Sequence, residues 1–207
     1  MSYDKELIAT KLRRWEKYLE DYHLPTWKEI PDIGLYMEQV IILLKGYLDY
    51  LPPELKDEQI ITAATINNYV RTKIMPEPIK KKYYRVHIAY LVMICTLKQT
   101  LPIAMIQKII PMNIEPEEVN VIYEQYAERH AITIKYFLSQ TRLIAGPLLD
   151  HTDRSTECVD TVDDLITTAT IYAGLSKLLS EKILLLKDKD ATNGGDLTRP
   201  NEKREPK

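Results

Sequence analysis

Glycine is scarce in this chain, with 6 among 207 residues. Tight turns and hairpins draw on residues that tolerate positive φ, so so little glycine speaks against a turn-rich sheet protein. The plentiful Leu, Ile, Lys and Glu favour helices instead. Cysteine is rarer still. Cys95 and Cys158 form no Cys-x-x-Cys pair, and Cys95 falls in an apolar helical stretch, which fits a reduced core thiol in a cytosolic protein. No window approaches the ~20 uncharged apolar residues of a membrane span. The opening MSYDKELIATKLRRWEKYLE is charged throughout, unlike a signal peptide. An excess of one charge is missing too: 28 Lys and Arg face 30 Asp and Glu, for a net charge of −2. That balance excludes a histone-like coat for nucleic acid. The expectation is a soluble cytoplasmic protein with no membrane partner.

Linear catalytic signatures are absent as well. None of His23, His87, His130 and His151 sits in HExxH, HxxxH or a zinc spacing, and there is no GxSxG, P-loop or GxGxxG. Asp150-His151-x-Asp153 is readable as a metal or base-orienting pair, but a polar helix connection explains it more simply. His130 reads as a helix-packing residue. Glu117-Glu118 and Asp163-Asp164 fit first-turn carboxylates that complement helix N-termini. We therefore expect no enzyme activity, cofactor or metal.

What is present is helical periodicity. Residues 4–22 carry Leu7, Ile8, Leu12, Trp15 and Leu19 at intervals of three and four. A second helix is expected from Pro31-Asp32 to about Tyr50, ended by Pro52-Pro53. After Pro111, a helix of about 30 residues carries Val119, Ile122, Tyr126, Ile134, Phe137, Ile144 and Leu148, with Gly146-Pro147 as an interruption. A polar link over 150–157 leads to a last helix near 159–186. Its small-residue stretch around Gly174 suits close packing or a pocket. Residues 188–207 lack the apolar content to fold and are expected to be disordered.

The window 61–110 is the most informative. A helix over 62–72 is cut off by Pro76 and Pro78 and followed by Lys80, Lys81, Lys82, Tyr83 and Tyr84, then a long apolar helix. From 62 to 85, Arg71, Lys73, Lys80, Lys81, Lys82 and Arg85 oppose only Glu77, a local +5 in a chain of −2. Thr62 can cap the helix by accepting from the Thr65 amide. Ile66, Tyr69 and Val70 then face the core, which leaves Ala64, Asn67, Asn68 and Arg71 outward. Asn and Arg at the front of a helix suit base edges in a major groove, and the lysines suit phosphates. One of Tyr83 and Tyr84 is expected to pack under the hairpin and the other to offer its hydroxyl to the DNA backbone.

These residues resemble a MerR-type winged helix-turn-helix. The likeness rests on Thr62, Thr65, Ile66, Tyr69, Ile74-Met75-Pro76 and Tyr83, then Ile88, Leu91, Ile94 and Leu97, with Ile103 and Ile106 beyond. The sequence departs from that pattern at a connection of about ten residues over 52–61, at Asn67 in place of an Arg, at Tyr84 in place of a small cap, and at Lys73 in place of a Gly. A left-handed turn at Lys73 would be strained. The stretch 24–110, with PTWKEIPDIGLYMEQV and TINNYVR, is also similar to a bacterial family, domain of unknown function 1836, which implies a helical regulatory protein.

The resulting expectation is an all-α, mainly helical protein with a small β-hairpin wing: a MerR-like winged helix-turn-helix domain over 1–110, a C-terminal helical hairpin over 111–187 for dimerisation or sensing, and the tail. It would act as a transcriptional regulator binding double-stranded DNA through Thr62, Ala64, Thr65, Asn67, Asn68, Arg71, Lys73, Lys80, Lys81, Lys82, Tyr83, Tyr84 and Arg85. It would be a homodimer through its C-terminal helices, with no effector class indicated. The alternative is a helical module that docks a protein partner.

Overall fold

The computed structural model describes residues 5–51 and 60–149, and then 161–162, 164–166, 168–169, 172–173 and 176–177. The protein is mainly helical, and among the described residues strand is limited to isolated bridges. Among the described residues, six continuous helices follow in order: α1 (Lys5–Asp21), α2 (Met37–Tyr47), α3 (Ala63–Arg71), α4 (Arg85–Leu97), α5 (Ile103–Ile109) and α6 (Pro116–Leu149). The expected link at 150–157, Cys158, most of the last helix and the tail at 188–207 lie outside the described residues, as does most of the 52–61 connection.

Helix α4 is the axis of the molecule. Every residue from His87 to Thr96 is buried, as expected for a helix that is apolar all round. Helices α2 and α6 pack against it, and α2 also meets α3. The core formed by α2 through α5 continues into α6 through Val119 and Tyr123, so it does not stop at the boundary expected at 110. Tyr123 is fully buried and donates its hydroxyl to the Pro25 carbonyl at 2.6 Å.

Three elements differ from the sequence expectation. Helix α2 begins at Met37 rather than near Pro31, because Leu35 is held extended by two backbone hydrogen bonds to Tyr83, each 2.8 Å. On α1, the buried positions include Glu16 rather than Trp15. Arg142 of α6 reaches both Glu16 and Glu20, and this pairing lets a carboxylate lie on the inner face. Helix α6 runs through Gly146-Pro147 to Leu149 without interruption. Pro147 lacks the amide for the i−4 hydrogen bond, yet the helix continues for two residues past it.

Candidate nucleic-acid interface

Helix α3 starts where the sequence places it. Thr62 is the N-cap, its hydroxyl accepting from the Thr65 amide at 3.1 Å, and the Thr65 hydroxyl accepts in return from the Thr62 amide at 2.9 Å. Two amides that helix geometry leaves unpaired are thus satisfied within one turn. Ile66 and Tyr69 face inward and are buried, while Ala64, Asn67 and Arg71 are exposed and Asn68 is half-buried. Arg71 donates to the Asn68 side-chain oxygen at 2.7 Å, which orients the guanidinium along the outer face. Thr62 and Thr65 are spent on the cap and on each other.

The helix ends in a Schellman turn. The Ile74 amide donates to the Tyr69 carbonyl at 3.1 Å, and Lys73 adopts φ 54°. That conformation normally selects glycine. Ile74 and Met75 then turn into the core.

After Pro78 the chain makes a two-residue hairpin turn. Ile79 and Lys82 exchange backbone hydrogen bonds at 3.0 and 2.9 Å, and the residues between them, Lys80 and Lys81, have φ 48° and 64°. Positive φ at both central positions is the type I′ arrangement, for which Asn-Gly is the low-energy choice. The chain leaving the turn then pairs with a distant segment, Tyr83 bridging to Leu35 ahead of α2. Gly34 is needed for the close approach: a Cβ there would lie 2.8 Å from Lys82 Cδ and 3.1 Å from Tyr84 Cζ.

The remaining expected contacts divide. Tyr83 is buried, its ring 5.9 Å from that of His87, and cannot reach a ligand. Tyr84 is half-buried and caps α4. Lys82 lies over the Tyr36 ring at 5.3 Å. Arg85 turns inward, donating to the Ile30 carbonyl at 2.8 Å, stacking over Trp27 at 5.8 Å and lying 3.7 Å from Asp32. It is therefore a brace rather than a free cation. Lys73, Lys80, Lys81 and Arg71 remain exposed, and no carboxylate of the described residues lies within salt-bridge distance of any of them.

His87 is a positioning residue that the sequence did not single out. It is buried, accepts at Nδ1 from the Tyr84 amide at 3.0 Å, and its Nε2 lies 3.0 Å from the Glu77 carbonyl. Donation from Nε2 to Glu77 gives the neutral tautomer both partners and ties the turn to the start of α4. No motif marks it, since its partners are backbone atoms. Among the described residues no three His, Cys, Asp or Glu side chains gather as metal ligands. Cys95 is fully enclosed, and burial pushes its thiol up to about 12.

Fold and surface together define a mainly helical protein with exposed cations, Arg71, Lys73, Lys80 and Lys81, at the end of α3 and on one tight turn. The model of the family described as Domain of unknown function (DUF1836) matches residues 25–127, and this supports the kinship drawn from residues 24–110. The matched span holds α2 through α5 and the start of α6, and the Tyr123–Pro25 hydrogen bond joins its two ends. No curated protein matches the chain. No solved structure matches it either. Among the described residues, no helix is long and apolar enough to cross a membrane.

Proposed function

We propose that this protein is a DNA-binding transcriptional regulator of MerR-like winged helix-turn-helix type, with α3 entering the major groove and the 79–82 turn acting as a minimal wing on the phosphates. The observation that carries this reading is the pair of lysines at left-handed positions, Lys80 and Lys81. Each such residue costs on the order of 1–2 kcal/mol relative to glycine. Backbone strain of this kind persists where a side chain is needed for function. Lysine at both positions sets two cations at the tip of a protruding turn, beside an α3 surface of Asn67, Asn68 and Arg71. The Leu35–Tyr83 pairing gives the turn a base. The contact set is Ala64, Asn67, Asn68, Arg71, Lys73, Lys80 and Lys81, with Lys82 and Tyr84 at its margin. A homodimer would present two such surfaces about 34 Å apart. The outer face of α6, where Val121 and Ile132 are exposed, supports self-association, and a monomer by light scattering at micromolar concentration would count against it.

The test is fluorescence anisotropy with duplex DNA across a salt series. Binding at low salt is expected, with K80A/K81A weakening all duplexes alike and reducing the log–log salt slope by about 2. Arg71→Ala or Asn67→Ala should cost about 1–3 kcal/mol at particular base pairs only. Failure to bind any duplex at low salt would pass the surface to a second reading, docking of a protein partner. The exposed apolar side chains of Ile33, Tyr36 and Ile79 near the lysines favour that reading.

A further inference from the structure

Where the ends of α1 and α2 meet, a groove of about 470 Å³ opens to solvent. Tyr18, Tyr22 and Tyr47 line it together with the carboxylates of Asp21, Glu29 and Asp49, and the described lining holds no lysine or arginine. The hydroxyls of all three tyrosines are already committed as donors. Tyr18 donates to the Asp49 carboxylate, Tyr22 to the Tyr47 carbonyl at 2.5 Å and Tyr47 to the Glu29 carbonyl at 3.2 Å. His23 directs Nδ1 to the Leu24 carbonyl at 3.0 Å, which leaves Nε2 of the neutral ring an acceptor. Among the described residues, the groove thus offers an occupant ring surface and acceptors but no free side-chain donor.

Gly46 is an independent sign of an occupant. It lies in the last turn of α2 and lines the groove. Glycine weakens a helix relative to alanine. Neither packing nor backbone geometry asks for it here, since its φ is not left-handed and a Cβ would meet no atom within 4 Å. Its missing side chain keeps open a space that a larger residue would close. From these observations we infer that the groove binds an aliphatic polyamine, its ammonium groups at Asp21, Glu29 and Asp49 and its methylene links on the tyrosine rings. The negative face of a tyrosine ring attracts an ammonium group, and the volume falls within the range of about 300–1,000 Å³ typical of small-molecule sites. An anion would meet only acceptors and carboxylates. Among the described residues no three carboxylates or imidazoles converge as metal ligands, so the charges suit a chain with separated cations rather than one metal ion. The site is remote in sequence from the 62–85 surface and does not depend on the DNA reading.

Calorimetry of the full chain without DNA tests it, with spermidine, Mg²⁺ and tri-lysine as titrants. Spermidine should bind saturably, and an excess of Mg²⁺ at constant ionic strength should not displace it. Asp21→Asn, which removes one charge at nearly constant shape, should weaken spermidine about fivefold, the upper worth of one exposed ion pair. Gly46→Leu should close the space and remove binding without lowering the melting temperature, since leucine is the better helix former. Gly46→Met provides the same test should that variant not fold. The inference is overturned by absence of saturable spermidine binding, by displacement with Mg²⁺, by unchanged affinity in Asp21→Asn, or by undiminished binding in a folded Gly46 variant. Tighter binding of tri-lysine than of spermidine would also overturn it, assigning the groove to a basic protein segment.

Discussion

At the scale of single residues, three lysines hold backbone conformations that glycine or asparagine would adopt at lower cost. Lys73, Lys80 and Lys81 all have φ between 48° and 64°. Stability and DNA binding should therefore pull in opposite directions at these positions. Lys73→Gly removes the steric penalty at the end of α3, where the Schellman hydrogen bonds are already formed, and should stabilise the fold by about 1 kcal/mol. The same sign is expected for Lys80→Asn with Lys81→Gly, which installs the preferred I′ pair. Thermal unfolding measures the gain, and anisotropy with duplex DNA should register weaker binding for the same proteins. A lower melting temperature in both would mean the turns are not under strain. The Thr62 cap was legible in the sequence because its partners lie within three residues. Arg85 was not, because Trp27, Ile30 and Asp32 are more than fifty positions away.

Among the elements, the segment 24–36 does more than connect α1 to α2. Its Trp27 amide donates to Glu124 of α6 at 2.6 Å, its Ile30 carbonyl accepts from Arg85, and its Leu35 pairs with Tyr83. It thus joins α6, the start of α4 and the lysine turn. Periodicity cannot reveal this, since the segment is neither helix nor strand and makes these three contacts through its own backbone atoms. The same contacts delay the start of α2, which Pro31-Asp32 had suggested would come earlier. Arg85 is the hub, and only a planar guanidinium both stacks on Trp27 and donates to a carbonyl. Arg85→Lys should destabilise the protein by about 1–2 kcal/mol, seen as a lower urea midpoint. An unchanged midpoint would show that the brace contributes nothing.

Across the whole molecule, α6 closes the structure, about 50 Å of helix at 1.5 Å per residue lying along both α1 and α4. His130 sits in this closure between the rings of Tyr22 and Tyr50, at 6.1 and 5.7 Å, with Nδ1 buried and unpaired. Burial holds its imidazole below the usual range and favours the neutral form in the folded state. The unfolded chain, titrating near pH 6.5, then takes up this proton first as pH falls. Stability from His130 is present in full above that value and declines below it, levelling off beneath the folded-state pKa. Urea midpoints at pH 7.5 and 5.5 should differ more for the native protein than for His130→Phe. Equal differences would show that His130 is not coupled to folding.

The presence and order of α1 to α6, the α3 cap, the inward positions of Ile66 and Tyr69, and the concentration of cations over 62–85 were determined by the sequence alone. Each is a matter of local spacing, hydrogen bonding within a turn, or counting charges. Which cations stay free, that Glu16 faces inward, and that Tyr83 is buried were decided by tertiary structure. Those outcomes depend on which distant backbone carbonyls, rings and charges the packing brings within a few ångströms, and nothing in local periodicity encodes them.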